Sequence, residues 1–349
     1  GDEFVASADP ADHPDDLHFG SDGLPQCLDL AQAALRRDGD PVPDGPSWRV
    51  GEGMAVAMIA TIPPRGHRSQ ASITLEPDGS YRVRVGTAEF GNGTATVHAQ
   101  IAATSLGTRL DRVVVTGADT DAVGVDTGAF GSTGTVVAGT AVARAAEALA
   151  AELREKAAGR LGVAPDECRL GPDGVGAPDG ATVALTELAG ARGDGQHDGS
   201  PRSVAFNVHA VRVAVDTDTG ELAILRSVHA ADAGVVVNPQ QCLGQVEGGI
   251  AQGIGSALYE EIRLDDAGRV TTRVLRDYHL PQYGDVPRTE VFFADTVDAF
   301  GPFGAKSMSE SPYNPVAPAL ANAIRDAVGV RPYRLPMTRD RLWELCRGA

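Results

Sequence analysis

The sequence predicts an α+β fold in two lobes. Three observations carry that expectation: strand patterns that alternate with period two, helical segments entered through turns rich in glycine, serine or proline, and a Gly-, Asp- and Pro-rich stretch from Gly171 to Pro201 that separates the lobes. A chain of 349 residues exceeds the usual size of one domain, so one large or two packed lobes is the starting expectation. Aromatic residues make up only 5% while glycines number 42, which favours tight turns and close backbone approach over bulky packing.

Residues 1–48 read as a lead-in segment, a linker cut from something longer. They are acidic at Asp2, Glu3, Asp9, Asp12, Asp15 and Asp16, hold one weak helix near Leu24 to Leu35, and run through a Pro and Gly stretch to Pro46. The folded body is expected over 49–349. From Val50 the pattern is β-rich, and Tyr81, Val83 and Val85 alternate with Arg82, Arg84 and Gly86 behind an Asp78-Gly79 turn, a half-buried hairpin. A second hairpin is expected where Val211, Val213 and Val215 precede Asp216 to Gly220, with Leu222 and Ile224 continuing the alternation. Four helices are expected to begin near Thr94, Thr135, Gln245 and Pro315. The first spaces Val97, Ile101 and Leu106 helically before Gly107, and the fourth spaces Val316, Leu320, Ile324 and Val328 before Gly329. Strand, small-residue turn and helix form the recurring unit.

The formal charge of −17 repels polyanions, which argues against nucleic acid and anionic membrane surfaces as partners. Cys27, Cys168, Cys242 and Cys346 stand in neither zinc-finger nor iron–sulfur spacing and read as reduced thiols. No apolar run reaches the roughly 18 residues of a membrane span, and no signal-peptide pattern opens the chain, so a cytoplasmic location is expected.

Four segments could carry chemistry. In Glu89-Phe90-Gly91-Asn92-Gly93 the glycines would let main-chain N–H groups face an anion at a helix start; a plain tight turn explains the same residues. Gly128-Ala129-Phe130-Gly131-Ser132-Thr133-Gly134-Thr135 adds hydroxyls ahead of a long Ala-rich helix. Phosphate oxygens would suit it, and so would Ser and Thr capping their own helix. In Gly244 to Gly255, Gln245, Gly248, Gly249, Gln252, Gly255, Ser256 and Tyr259 share one helical face opposite an apolar stripe of Val246, Ile250, Ile254, Ala257 and Leu258. Each interior glycine costs about 1 kcal/mol relative to alanine, so something must approach that face closely, either a packed helix or a ligand. The fourth, Gly301 to Pro312, sets Glu310 in a small-residue turn before a buried-looking helix; partial desolvation would raise its pKa toward neutrality and make it a general base, whereas a lone loop glutamate is usually solvated.

In this order and spacing the segments resemble the second cofactor-binding half of the molybdenum hydroxylase large subunit, the xanthine dehydrogenase and aldehyde oxidase family. The resemblance runs from about Gly51 to Arg341. It rests on Glu89 to Gly93 with Thr96 to Gln100 and Leu106-Gly107, and on Asp232, Gly234 and Asn238-Pro239 with Gly244 to Glu261. It continues through Asp277 to Pro281, Asp285 to Pro287, Gly304 to Glu310, Ala317 to Ile324 and Gly329 to Arg331. The resemblance implies a molybdenum ion on a pterin dithiolene, as the cytosine dinucleotide in many members. It implies Gly91, Asn92, Gly93, Gly128, Ala129, Phe130, Gly131, Ser132, Gln245, Lys306, Ser307, Met308 and Ser309 as residues along that cofactor, with no metal ligand from the chain itself. Glu310 is implied as the base that takes a proton from a water-derived oxygen adding to an electron-poor carbon of an aldehyde or N-heterocycle. Iron–sulfur and flavin subunits or domains, and the N-terminal half of the same subunit, are implied as partners. Two departures stand out: Ser307 and Ser309 occupy positions where the family usually has glycine, and the first cofactor lobe is absent. A cofactor-binding or assembly module without turnover is the alternative reading; a generic phosphate-binding α/β protein accounts for the helix-entry turns but not for the Gly-Gln helix or the carboxylate turn.

Overall fold

A computed structural model describes residues 18–60, 67–199 and 202–348. Among these residues the α-helices are α1 (Leu24–Leu35), α2 (Thr94–Leu106), α3 (Gly139–Leu161), α4 (Pro239–Leu258), α5 (Leu275–Tyr278), α6 (Val316–Val328) and α7 (Arg339–Arg347). One four-stranded sheet takes β2 (Ser69–Leu75), β3 (Tyr81–Val85), β4 (Val113–Gly117) and β8 (Arg192–His197) in the order β4-β3-β2-β8. The second takes β1 (Trp48–Ala60), β9 (Val204–Asp216), β10 (Leu222–Ala231) and β11 (Thr289–Phe293) in the order β1-β9-β10-β11. Three short strands, β5 (Arg169–Leu170), β6 (Gly174–Gly176) and β7 (Thr182–Ala184), form a third antiparallel sheet.

The α+β architecture is therefore as expected, and so are both hairpins. β2 and β3 pair antiparallel with Tyr81, Val83 and Val85 fully buried, and β9 pairs antiparallel with β10. The lobes are not sequential, however. β1 lies beside β9 in the second sheet, and the Gly171 to Pro201 stretch, up to residue 199, is built into the first lobe as β6, β7 and β8 rather than forming a break. Nor is the lead-in a free linker. Cys27, Ala31, Ala34 and Leu35 of α1 are buried against Val208, Ala210, Val228 and Ala230 on the outer face of the second sheet. Asp40 behind it accepts from Arg212 at 2.7 Å and from Arg226 at 2.8 Å. The acidic residues at positions 2 to 16 lie outside the described residues.

Glycine does in both lobes what its abundance suggested. On edge strand β8, a Cβ at Gly193 or Gly195 would stand 2.2 Å from the backbone oxygens of Ala145 and Ala141 in α3. On edge strand β1, a Cβ at Gly51 or Gly53 would stand 2.3 and 2.2 Å from those of Ala323 and Ala319 in α6. A Gly-X-Gly strand thus lets one helix lie directly on each sheet, main chain against main chain. Across those helices sit two separate cores, one around Ile73, Leu149 and Leu153, the other around Val213, Ile250 and Ile324.

α4 begins at Pro239, six residues ahead of the expected start, because the Asn238 side chain accepts from Gln241 N at 3.0 Å and proline occupies the first helical turn. Its apolar stripe is buried as expected. Close packing accounts for three glycines of the helix. On the glycine face a Cβ at Gly249 would lie 3.2 Å from Pro312, and one at Gly255 3.1 Å from Pro281 and closer still to Glu260; beside that face a Cβ at Gly253 would lie 2.7 Å from Val316 and 3.1 Å from the Tyr313 carbonyl. The turn bearing Glu310 therefore sits on glycines. Gly253→Ala is expected to lower stability in urea by roughly 1–3 kcal/mol through overpacking. Gly248→Ala, where a Cβ meets nothing within 4 Å, is expected to raise it by up to about 1 kcal/mol. Equal effects at the two sites would refute this packing argument.

Candidate active site

The cleft opens where the turn 305–311 of the second lobe meets the turns 89–94 and 128–138 of the first, over the N-terminal half of α4. Two adjoining depressions share Asn92, Ala129, Gln245 and Ser309. The inner one also takes Ser132, Thr135, Gln241, Ser307 and Met308, and the outer one Phe90, Gly91, Phe130 and Glu310. Most of the residues singled out from the sequence are thereby brought together; Gly93, Gly128 and Gly131 do not line the cleft.

In the first turn the anion is already present. The Glu89 carboxylate accepts from the backbone N–H of Gly91 at 2.7 Å, Gly93 at 3.2 Å and Ala95 at 3.0 Å. Partial desolvation raises its pKa, but these N–H donors outweigh it and hold the group below the ordinary carboxylate range. The expectation that Gly91 and Gly93 offer free N–H groups to a ligand is corrected accordingly. Gly93 is needed for its left-handed φ of 79° at the start of α2, and because a Cβ there would stand 2.8 Å from the Gln241 side chain.

The second turn is braced from within. Asp126 accepts from Gly128 N at 2.8 Å, and the Thr133 hydroxyl donates to Gly128 O at 2.9 Å, so the glycine that might have met a phosphate is already engaged. Beneath it, buried His98 sets Nε2 3.0 Å from Gly134 O; burial lowers its pKa, so the neutral ring donates. The chain then makes a π-helical turn over Gly134–Ala138 before α3, a form frequent at functional sites. Ser132 is buried, adopts φ 60°, and aims its hydroxyl across the cleft: Oγ accepts from Glu310 N at 3.0 Å and lies 3.2 Å from Ser309 Oγ.

The third element is the carboxylate turn. Glu310 is exposed, and its carboxylate has no hydrogen-bond or ionic partner among the described residues. The desolvation expected of it is not supplied by this chain. Ser307 Oγ accepts from Val136 N at 3.2 Å, so three hydrogen bonds tie this turn to Ser132 and Val136 of the first lobe. Lys306 departs from expectation. Its ammonium, with no side-chain exposure, donates to Ser21 O, Val204 O and Asp232 Oδ2 at 2.9, 2.8 and 2.7 Å, with Asp298 at 4.0 Å. All three of its donors are used in the core, and none is left for a cofactor. Met308 likewise packs its side chain into the second core.

On α4, Gln245 donates from Nε2 to Ser309 O at 3.0 Å. One turn earlier, Gln241 lines the inner cleft with a buried Oε1 that has no partner. Asn238 joins it to α2, donating to Gln100 at 3.1 Å. Gln241 was not picked out from the sequence, although it lies on the same helical face one turn before Gln245; Thr135 closes the hydroxyl-bearing segment that was. A buried acceptor without a donor costs about 1–3 kcal/mol unless a ligand or water completes it. Amides and hydroxyls from both lobes, with one acceptor unfilled, fit a flat heterocycle rich in N–H groups such as a pterin. Among the described residues no group of three His, Cys, Asp or Glu side chains is placed to hold a metal, and no helix is long and apolar enough to cross a membrane.

Comparison with known proteins follows this geometry. The family model described as "Molybdopterin cofactor-binding domain" matches residues 26–287. The chain is 34% identical over 301 residues to a probable hypoxanthine oxidase of Escherichia coli (strain K12), covering 83% of this chain and 32% of that protein. It is 30% identical over 294 residues to the carbon monoxide dehydrogenase large chain of Afipia carboxidovorans, covering 79% and 36%. Among solved structures, quinoline 2-oxidoreductase from Pseudomonas putida 86 superposes with a TM-score of 0.79 at 26% identity over 93% of this chain and 44% of that one. The chain thus spans 32 to 44% of the length of these relatives.

Proposed function

Because the chain belongs to the molybdopterin cofactor-binding domain family, we propose that it is the second half of a molybdenum hydroxylase active site, one that hydroxylates an N-heterocycle or an aldehyde with oxygen from water. The observation that carries this reading is the convergence of Gln241, Gln245, Ser132 and Glu310 on one cleft made from both lobes. Gln241 Oε1 would accept from the pterin edge, and Asn92, Thr135 and the free oxygen of Gln245 complete the polar wall. When bound, the molybdenum–pterin group would supply the two-electron oxidation of the substrate carbon. Glu310 stands at the outer depression, where its unpartnered carboxylate can take a proton from water as oxygen adds to that carbon. Phe90 and Phe130, exposed at 73% and 54% beside it, offer apolar faces on which a flat substrate could rest. The N-terminal half would close the outer depression and desolvate Glu310, and iron–sulfur and flavin partners would carry electrons away.

The test is elemental analysis and pterin release on this polypeptide co-purified with its N-terminal half. One molybdenum and one pterin per complex are expected, with turnover of aldehydes or N-heterocycles. A well-folded complex without either would remove the proposed function and leave a degenerate subunit.

A further inference from the structure

The turn that carries Glu310 is bonded to the opposite lobe as well as to its own. Among the described residues the Glu310 carboxylate has no hydrogen-bond or ionic partner, so its position depends on the turn 305–311. Three hydroxyl-mediated links cross from that turn to the first lobe: Glu310 N to Ser132 Oγ at 3.0 Å, Ser309 Oγ to Ser132 Oγ at 3.2 Å, and Val136 N to Ser307 Oγ at 3.2 Å. Two of the three converge on Ser132, which is 5% exposed and faces Glu310 from the turn just before the π-helical segment. Ser132 also adopts φ 60°, a left-handed conformation that disfavours any residue with a Cβ. Glycine would adopt it without that steric cost. A strained serine at a position suited to glycine indicates that the hydroxyl, not the backbone, is what the position requires.

We propose that Ser132 is a positioning residue for Glu310: its hydroxyl accepts the Glu310 N–H and engages the Ser309 hydroxyl, so that the first lobe sets where the carboxylate stands. Ser307, accepting from Val136 N, is the second arm of the same latch. The link acts across lobes, so any shift of one lobe against the other moves the carboxylate along the cleft. The inference rests on the reading of Glu310 as the base, and the backbone conformation makes the two separable by experiment.

Ser132→Gly removes the hydroxyl and relieves the strained backbone together. If Ser132 only shapes its turn, the variant keeps wild-type turnover and its Tm holds or rises. As a positioning residue, its loss lowers kcat per bound molybdenum about tenfold or more with KM unchanged, since small misplacements of a catalytic group are costly. A second readout does not depend on activity: amide hydrogen exchange at Glu310 should speed up at least tenfold in the variant, while exchange in β9 stays as in the wild type. Wild-type kcat and wild-type Glu310 protection in Ser132→Gly would overturn the latch. A complex carrying Glu310→Gln that turns over as fast as the wild type would instead overturn the role of Glu310 and leave the exchange result standing as a purely structural link.

Discussion

On the proposed function, Glu310→Gln in the complex with the N-terminal half is expected to reduce kcat by roughly 10²- to 10⁴-fold, the range that a positioned general base contributes, with molybdenum and pterin content unchanged. The substitution keeps size and polarity and removes only basicity. It leaves the fold intact because the wild-type carboxylate has no partner to lose: the side chain is exposed, and the links to Ser132 and Gln245 run through the main chain of Glu310 and Ser309. A change in stability beyond about 0.5 kcal/mol is therefore not expected. Rate measurements, metal analysis and denaturation on the same preparation settle the matter. Lost turnover together with lost metal would make Glu310 a cofactor-retaining residue, and retained turnover would move the base elsewhere.

What the sequence disclosed and what it concealed follow from the range of the interactions involved. Alternation along Tyr81, Val83 and Val85, and along Val211, Val213 and Val215, is local and two-fold periodic, so both hairpins could be read directly. Their assignment to sheets could not, because β1 finds β9 across more than 140 residues and no local pattern records that pairing. The weak helix at Leu24 to Leu35 was visible, but its burial depends on a sheet face presented by β9 and β10. Glu89 shows the opposite case. Its partners are only two, four and six residues away, and a carboxylate followed by left-handed glycines at a helix start has its own N–H groups within reach. Of the two readings these residues allow, an external anion or a plain tight turn, the nearer carboxylate in the same turn favours the second. The Glu310 turn, legible as a motif, gave no sign of the Ser132 and Val136 contacts, which lie 178 and 171 residues from their partners.

Lys306 offers the sharpest contrast between motif and contact, and its replacement should act on stability first. Lys306→Met keeps the length of the side chain and removes the ammonium, leaving Asp232 fully buried and Asp298 4% exposed without their cation. Breaking such a buried pair from one side costs about 3–5 kcal/mol. Asp232 retains the Thr296 hydroxyl at 2.7 Å and Gly23 N at 3.2 Å, and Asp298 retains Phe300 N at 2.9 Å, which moderates the loss but does not neutralise either carboxylate. The cluster joins the start of the described chain, the start of β9, the end of β10 and the carboxylate turn, so its failure should release all four segments together. Denaturation of the assembled enzyme is expected to show the full loss. Lys306→Met combined with Asp232→Leu should cost less than the sum of the two single changes, because the partners are coupled. A direct cofactor contact predicts the reverse: a variant of near wild-type stability that fails to retain pterin. The saturated donors of Lys306 argue that its charge serves the core behind the cleft, and that the cleft's polar wall is built from amides and hydroxyls.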